Sequence, residues 1–395
     1  MINETMYQMG NKLSVIRELF SYGLKQAAVV GKENVFDFSI GNPSVPSPKA
    51  VTEAFQKLCA EEDSLPIHSY TLARGSVEAR AAVAANLAMR TGTLVRPDNI
   101  FLTCGAAPAL CAVMKALSLE DSEILVIAPY FAEYRPFIEF SGNKMVVVPA
   151  DMENFQINFP ELEKCINEHT QAIVVNSPNN PTGAVYSYET LSKLSKLLKA
   201  KSKEYGHPIY IISDEPYREL VYDDAYVHYI PDIYPNTIIC YSYSKVFSLP
   251  GERIGYFFIP DCVEDGERLY YAASGAARVN GHVCAPSLQQ KVIQICADVK
   301  PDISVYDRNR VVLYDALTNY GYQCVKPQGA FYLFVKAPYG TAKEFSDRAK
   351  LDNLLIVPGD EFGCPEYFRA SICVSYDMII RSLPIFKKLI EEKPE

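Results

Sequence analysis

From residue 98 onward the chain alternates short, nearly continuous apolar runs with longer stretches in which apolar residues recur at helical spacing. The runs are "NIFLTCG" (99–105), "EILVIAPY" (123–130), "KMVVVPA" (144–150), "QAIVVNSP" (171–178), "IYIISDEP" (209–216), "TIICYSYS" (237–244) and "RIGYFFIP" (253–260). Runs this short and this apolar predict strands buried on both faces, as in a parallel sheet covered by helices. Between them lie helical patterns such as "AAPALCAVMKALS" (106–118) and "SYETLSKLSKLLKAKSKEYG" (187–206), the second closing in a glycine. The alternation predicts an α/β fold whose large domain, 49–285, carries a mostly parallel seven-stranded sheet. A mixed α/β pattern over 286–395, joined by the N-terminal segment 1–48, predicts a smaller second domain.

In an open parallel sheet, ligands bind beyond the carboxyl ends of the strands. The residues that follow each run therefore carry the information: "TCGAAPAL", "APYFAEY", "NSPNNPTG", "SDEPY" and "SYSK". Gly105, Ala106 and Ala107 open a helix whose free amides suit an anion, although the same residues also make an ordinary tight turn. Ser242, Ser244 and Arg253 offer hydroxyls and a guanidinium to the same anion; alternatively the serines cap a turn and Arg253 pairs with a surface acid. Asp214 ends a buried strand, where a carboxylate needs a cation or several donors, and a protonated ring nitrogen of a ligand meets that need. Tyr217, three residues on, can reach an oxygen on the same ring. Two prolines and a glycine make "NSPNNPTG" a rigid loop, in which Asn180, held extended by Pro181, aims its amide outward. Lys245 is either a surface charge closing a strand or an amine that does covalent chemistry.

Composition narrows the classes. The chain has 395 residues, 49% apolar and 22% charged, as expected of a globular protein in water. A net charge of −9 with no basic block argues against nucleic acid as a partner. No apolar run reaches membrane-spanning length, and "MINETMYQMGNK" lacks the apolar core of a signal peptide. The eleven cysteines are scattered, with no CxxC, and read as thiols of a reducing cytoplasm. Together with five isolated histidines they predict no metal site.

Ten motifs in order, among them "FSIGNPSVPSP", "YTLARGSVEAR", "PQGAFYLF", "VPGDEFG" and "FRASICVS" besides those above, resemble the class I/II aminotransferases, pyridoxal-phosphate (PLP) enzymes of the aspartate aminotransferase fold family. The resemblance covers nearly the whole chain. It implies that Lys245 bonds the cofactor covalently, that Asp214 holds the pyridinium nitrogen, and that Asn180 and Tyr217 hold the ring's phenolic oxygen. It further implies a phosphate on the amides of Ala106 and Ala107 beside Ser242 and Arg253, and Phe131 stacked on the ring. Tyr70 resembles a tyrosine that reaches the neighbouring subunit's phosphate, which implies a homodimer with shared sites. Arg369, helped by Gly41 and Asn180, resembles the residue that grips the substrate α-carboxylate.

The same family resemblance implies transamination between an L-amino acid and a 2-oxo acid such as 2-oxoglutarate; among donors, aspartate is the leading candidate. The alternatives are a carbon–sulfur β-lyase and a PLP-sensing regulator. Such lyases carry isoleucine and histidine where this chain has Pro216 and Tyr217. Such regulators carry a DNA-binding domain, and the residues ahead of "FSIGNP" are too few for one. For the side-chain carboxylate, one branch of the family uses a lysine where this chain has Ala107. Arg278, near where another branch carries its side-chain arginine from the partner subunit, and Arg17 are the remaining candidates, each also readable as a helix or surface ion pair.

Overall fold

A computed structural model describes residues 1–11, 14–60 and 63–392. Among these the strands in chain order are β1 (Phe36–Asp37), β2 (Ile100–Thr103), β3 (Glu123–Ile127), β4 (Lys144–Val148), β5 (Thr170–Asn176), β6 (Tyr210–Asp214), β7 (Thr237–Ser242), β8 (Gly255–Phe258), β9 (Tyr332–Lys336), β10 (Leu354–Leu355), β11 (Val357–Pro358) and β12 (Tyr367–Ser371). Each of the seven apolar runs forms one strand of a single sheet, ordered β2-β8-β7-β6-β5-β3-β4. The pairs β4/β3, β3/β5, β5/β6 and β6/β7 are parallel; β8 runs antiparallel to both β2 and β7. That reversal positions the site. Because β8 points the other way, its first residues lie at the edge where its neighbours end, which brings Arg253 to the same edge as Ser242.

Helices cover both faces, as the absence of polar alternation in the strands requires. On one face Ile124, Val126, Val174 and Ile212 pack with Leu110, Val113 and Ala273 of the helices Ala106–Ala116 and Gly266–Val279. On the other, Leu125, Ile173, Val175 and Ile211 pack with Leu191, Leu194 and Leu198 of the helix Tyr188–Tyr205. The sequence alone marks both ends of that helix. Ser187 caps its N-terminus by accepting from the Thr190 amide at 3.0 Å, and Gly206 ends it at φ 75°.

A second, antiparallel sheet, β11-β12-β9, packs with the helices Ser304–Tyr320, Ala342–Leu351 and Tyr376–Glu391 around Phe331, Leu333, Phe368 and Phe386. β1 pairs in parallel with β10, so the N-terminal segment joins the C-terminal elements. The helix Ser287–Cys296 packs instead against the helices Lys49–Cys59 and Val77–Thr91, through Val292 and Ile293 against Val51 and Val83. No helix among the described residues is long and apolar enough to cross a membrane.

Candidate active site

At the shared edge of the large sheet, beside β9 and β12 of the second sheet, lies a cavity of about 330 Å³. The register explains who meets there: Asn176 pairs with Asp214 and Asp214 with Cys240, so β5, β6 and β7 end nearly level. Gly41, Ala106, Ala107, Phe131, Asn180, Asp214, Tyr217, Ser242, Ser244, Lys245, Arg253 and Arg369, scattered over more than 300 positions of sequence, all line it.

One end of the cavity could hold an anion. The helix Ala106–Ala116 has no side-chain cap, and its first residues line the cavity, leaving their amides open to a ligand. Gly105, at φ 98°, precedes it; a side chain there would collide with Nη2 of Arg253, so only glycine lets the guanidinium lie against the helix start. Arg253 Nη1 donates to Ser244 Oγ (3.2 Å) and the Pro250 carbonyl (2.9 Å), and Ser242 Oγ donates to Ser244 Oγ (2.8 Å). Among the described residues no carboxylate pairs with Arg253, so the surface ion-pair alternative falls away.

Asp214 lies at the centre, 4% exposed. Its Oδ2 accepts from the Tyr134 hydroxyl at 2.6 Å, while Oδ1 is buried with no hydrogen-bond partner. Burial pushes its carboxyl up to about 7, against the opposing Tyr134 hydrogen bond and with a further push from Glu215. Asn176 ties this residue to the neighbouring loop: its Nδ2 donates to the Asp214 carbonyl (2.9 Å) and its Oδ1 accepts from the Asn180 amide (2.8 Å).

Lys245 is the first residue beyond β7 but two, and its Nζ donates to the Gly41 carbonyl at 2.7 Å. Burial lowers its pKa to about 8, and the charges of Arg253 and Arg369 push the same way while Cys373 opposes them. The neutral amine is therefore accessible near neutrality. On cofactor-free protein, acetylation of Lys245 by an amine-selective reagent, followed by mass spectrometry, should rise with pH around a midpoint near 8. A midpoint at the ordinary lysine value, about 10.4, would show that the pocket does not activate it.

At the other end, Arg369 is 2% exposed. Nη1 donates to Asn180 Oδ1 (3.0 Å) and Nη2 to the Ser39 carbonyl (2.7 Å), while Nε is buried and unpartnered. Asn180 is thus buried with its side-chain oxygen turned toward Arg369, on the cavity. Tyr217 and Tyr332 share a hydroxyl–hydroxyl contact of 3.1 Å, and Tyr332 also lies under Arg369 at 4.5 Å. Gly41 is required there, since any side chain would overlap the Tyr332 hydroxyl.

Two residues expected to serve a neighbouring subunit's site do not line this chain's own cavity. Tyr70 is 86% exposed, and Arg278 is exposed near the end of its helix. Arg17, by contrast, lines the cavity and makes no ion pair among the described residues. Tyr134, Asn176 and Tyr332 lay inside quoted motifs without being assigned a role, and burial alone reveals their partners.

The arrangement fits pyridoxal phosphate: an uncapped helix start with hydroxyls and an arginine for the phosphate, an unpartnered buried carboxylate oxygen for a ring N–H, and an activated amine. Among the described residues no cluster of three or more His, Cys, Asp or Glu could hold a metal. The chain is 52% identical to an aminotransferase from Eubacterium rectale of known crystal structure, with a TM-score of 0.97 over 100% of this chain and 99% of that one. It is 28% identical to an aspartate aminotransferase from Pyrococcus abyssi over 96% of each chain. It is also 28% identical to aromatic-amino-acid aminotransferase 2 from Thermococcus litoralis, again over 96% of each. These relatives favour transamination over the lyase and regulatory alternatives. The profile described as aminotransferase class I and II matches residues 33–381, and the chain belongs to that family of PLP-dependent transaminases.

Proposed function

We propose that this aminotransferase moves the amino group of L-aspartate to a 2-oxo acid such as 2-oxoglutarate. The observation that carries the site assignment is the buried, unpartnered Oδ1 of Asp214 on the same cavity as the activated Lys245. Pyridoxal phosphate, when bound, supplies an aldehyde that joins amines covalently and a ring that withdraws electrons. In this reading Asp214 Oδ1 accepts from the ring N–H, and Asn180 and Tyr217 donate to the phenolic oxygen. Phe131 stacks on the ring, and Gly105, Ala106, Ala107, Ser242, Ser244 and Arg253 hold the phosphate. Arg369 binds the substrate α-carboxylate with a planar fork, with Gly41 and Asn180 beside it, which restricts rotation about Cα. Lys245 Nζ then takes the proton from Cα.

Aspartate as the donor is supported by the named function of the Pyrococcus relative and by Arg17, a cation on the cavity that pairs with no carboxylate among the described residues. Arg17→Gln is expected to raise KM for aspartate about tenfold while leaving kcat and the KM for alanine unchanged, the pattern of lost ground-state binding. Turnover of phenylalanine or alanine with none of aspartate would overturn the donor. A homodimer with shared sites is supported by Tyr70, whose ring is 86% exposed beside exposed Leu65 and Leu72. Eleven unpaired cysteines support a cytoplasmic location. The large domain, in this reading, extends through the helix Ser287–Cys296, ten residues past the expected boundary at 286, because that helix packs on the helices Lys49–Cys59 and Val77–Thr91.

A further inference from the structure

The geometry points to Tyr134 as a positioning residue for this reaction: its phenol favours the ionised Asp214 carboxylate and turns it so that Oδ1 faces the cofactor ring. The inference rests on the proposed pairing of Asp214 with the ring nitrogen. Tyr134 is 1% exposed and begins the helix Tyr134–Ser141. Burial first, and then Asp214 itself, raise its phenol well above the ordinary value, so Tyr134 keeps its proton and must be the donor in the 2.6 Å contact with Oδ2. A phenol has one proton, and this one is committed to Oδ2, which leaves Oδ1 the free acceptor.

Among the described residues no other group donates to the Asp214 carboxylate. The ionisable neighbours of Asp214 are Glu215, Tyr217 and Cys240, all neutral or negative, and Glu215 is itself engaged by Ser213 (2.8 Å) and Arg218 (3.0 Å). Asn176 reaches the Asp214 backbone carbonyl and not its carboxylate. Tyr134 is also held in orientation by Phe131, whose ring meets it edge to face at 5.6 Å and 90°. The turn after β3 therefore carries both the residue beside the ring and the residue behind the carboxylate.

The test is the affinity of cofactor-free protein for pyridoxamine 5′-phosphate, which has no aldehyde and cannot bond to Lys245, measured by tryptophan-independent absorbance titration at several pH values around 7. Tyr134→Phe is expected to move the pH midpoint of binding up by about one unit and to weaken binding below it by on the order of tenfold. Asp214→Asn removes this transition, separating it from titration of the phosphate, and Tyr134→Phe adds no loss in the Asp214→Asn background. A wild-type midpoint in Tyr134→Phe, or an equal loss with and without the Asp214 carboxylate, overturns the inference. If Tyr134→Phe does not fold, 3-fluorotyrosine at position 134 keeps the ring and makes the phenol a stronger donor, so the midpoint must move down; a midpoint unchanged or raised there overturns the inference equally. Wild-type protein that binds no pyridoxamine 5′-phosphate at any pH would sink the cofactor assignment instead.

Discussion

Lys245→Ala protein is expected to transaminate about 10⁴-fold more slowly than wild type, the upper range for losing a positioned proton carrier. The physical ground is the environment of one nitrogen. Burial and the charges of Arg253 and Arg369 bring its pKa to about 8, while the Gly41 carbonyl holds it at 2.7 Å. No second lysine lines the cavity to replace it among the described residues. The proposed phosphate cradle and Asp214 do not depend on Lys245, so the variant should still bind the cofactor, and borohydride should fix none of it to the chain. Turnover of aspartate within tenfold of wild type, with cofactor bound, would refute the role given to this amine.

The second large effect concerns Arg369. Arg369→Leu should lower kcat/KM by about 10² to 10⁴-fold, the loss expected when one partner of a buried, charge-assisted contact is truncated. Arg369→Lys is the sharper experiment. Lysine keeps the charge but not the fork, and cannot at once hold Asn180 Oδ1, the Ser39 carbonyl and a substrate carboxylate. A loss of about 10²-fold or more in Arg369→Lys, read from steady-state rates, supports bidentate recognition. Near-wild-type kinetics in the lysine variant would mean that charge alone suffices.

Much of the fold was legible because its causes are local. Each of the seven apolar runs became a strand, since a strand buried on both faces needs an unbroken apolar run and nothing from afar. The helix Tyr188–Tyr205 was readable for the same reason: its leucines, its serine cap and its terminal glycine lie within one stretch. The reversed direction of β8 was not legible, because no local pattern records which way a neighbouring strand runs. Nor was the packing partner of the helix Ser287–Cys296, whose apolar face meets Val51 and Val83.

The candidate site divides along the same line. Asp214, Asn180, Lys245 and Arg253 could be singled out from sequence because each lies at or within a few residues of a strand end, where its chemistry is costly to ignore. Tyr134, Asn176 and Tyr332 could not, because a tyrosine or asparagine within a motif gives no sign of its partner. Arg17 and Arg278 could not be placed from sequence, and the fold puts Arg17 on this chain's own cavity and Arg278 on its surface.

What the sequence determined by itself was the supply of chemistry and the order in which strand ends deliver it. What only tertiary structure decided was encounter and environment. Lys245 meets a carbonyl 204 positions away, and Arg369 an amide 189 positions away. The acidity of Asp214 and Lys245 follows from burial, which closing the fold around them creates and no short stretch of residues contains.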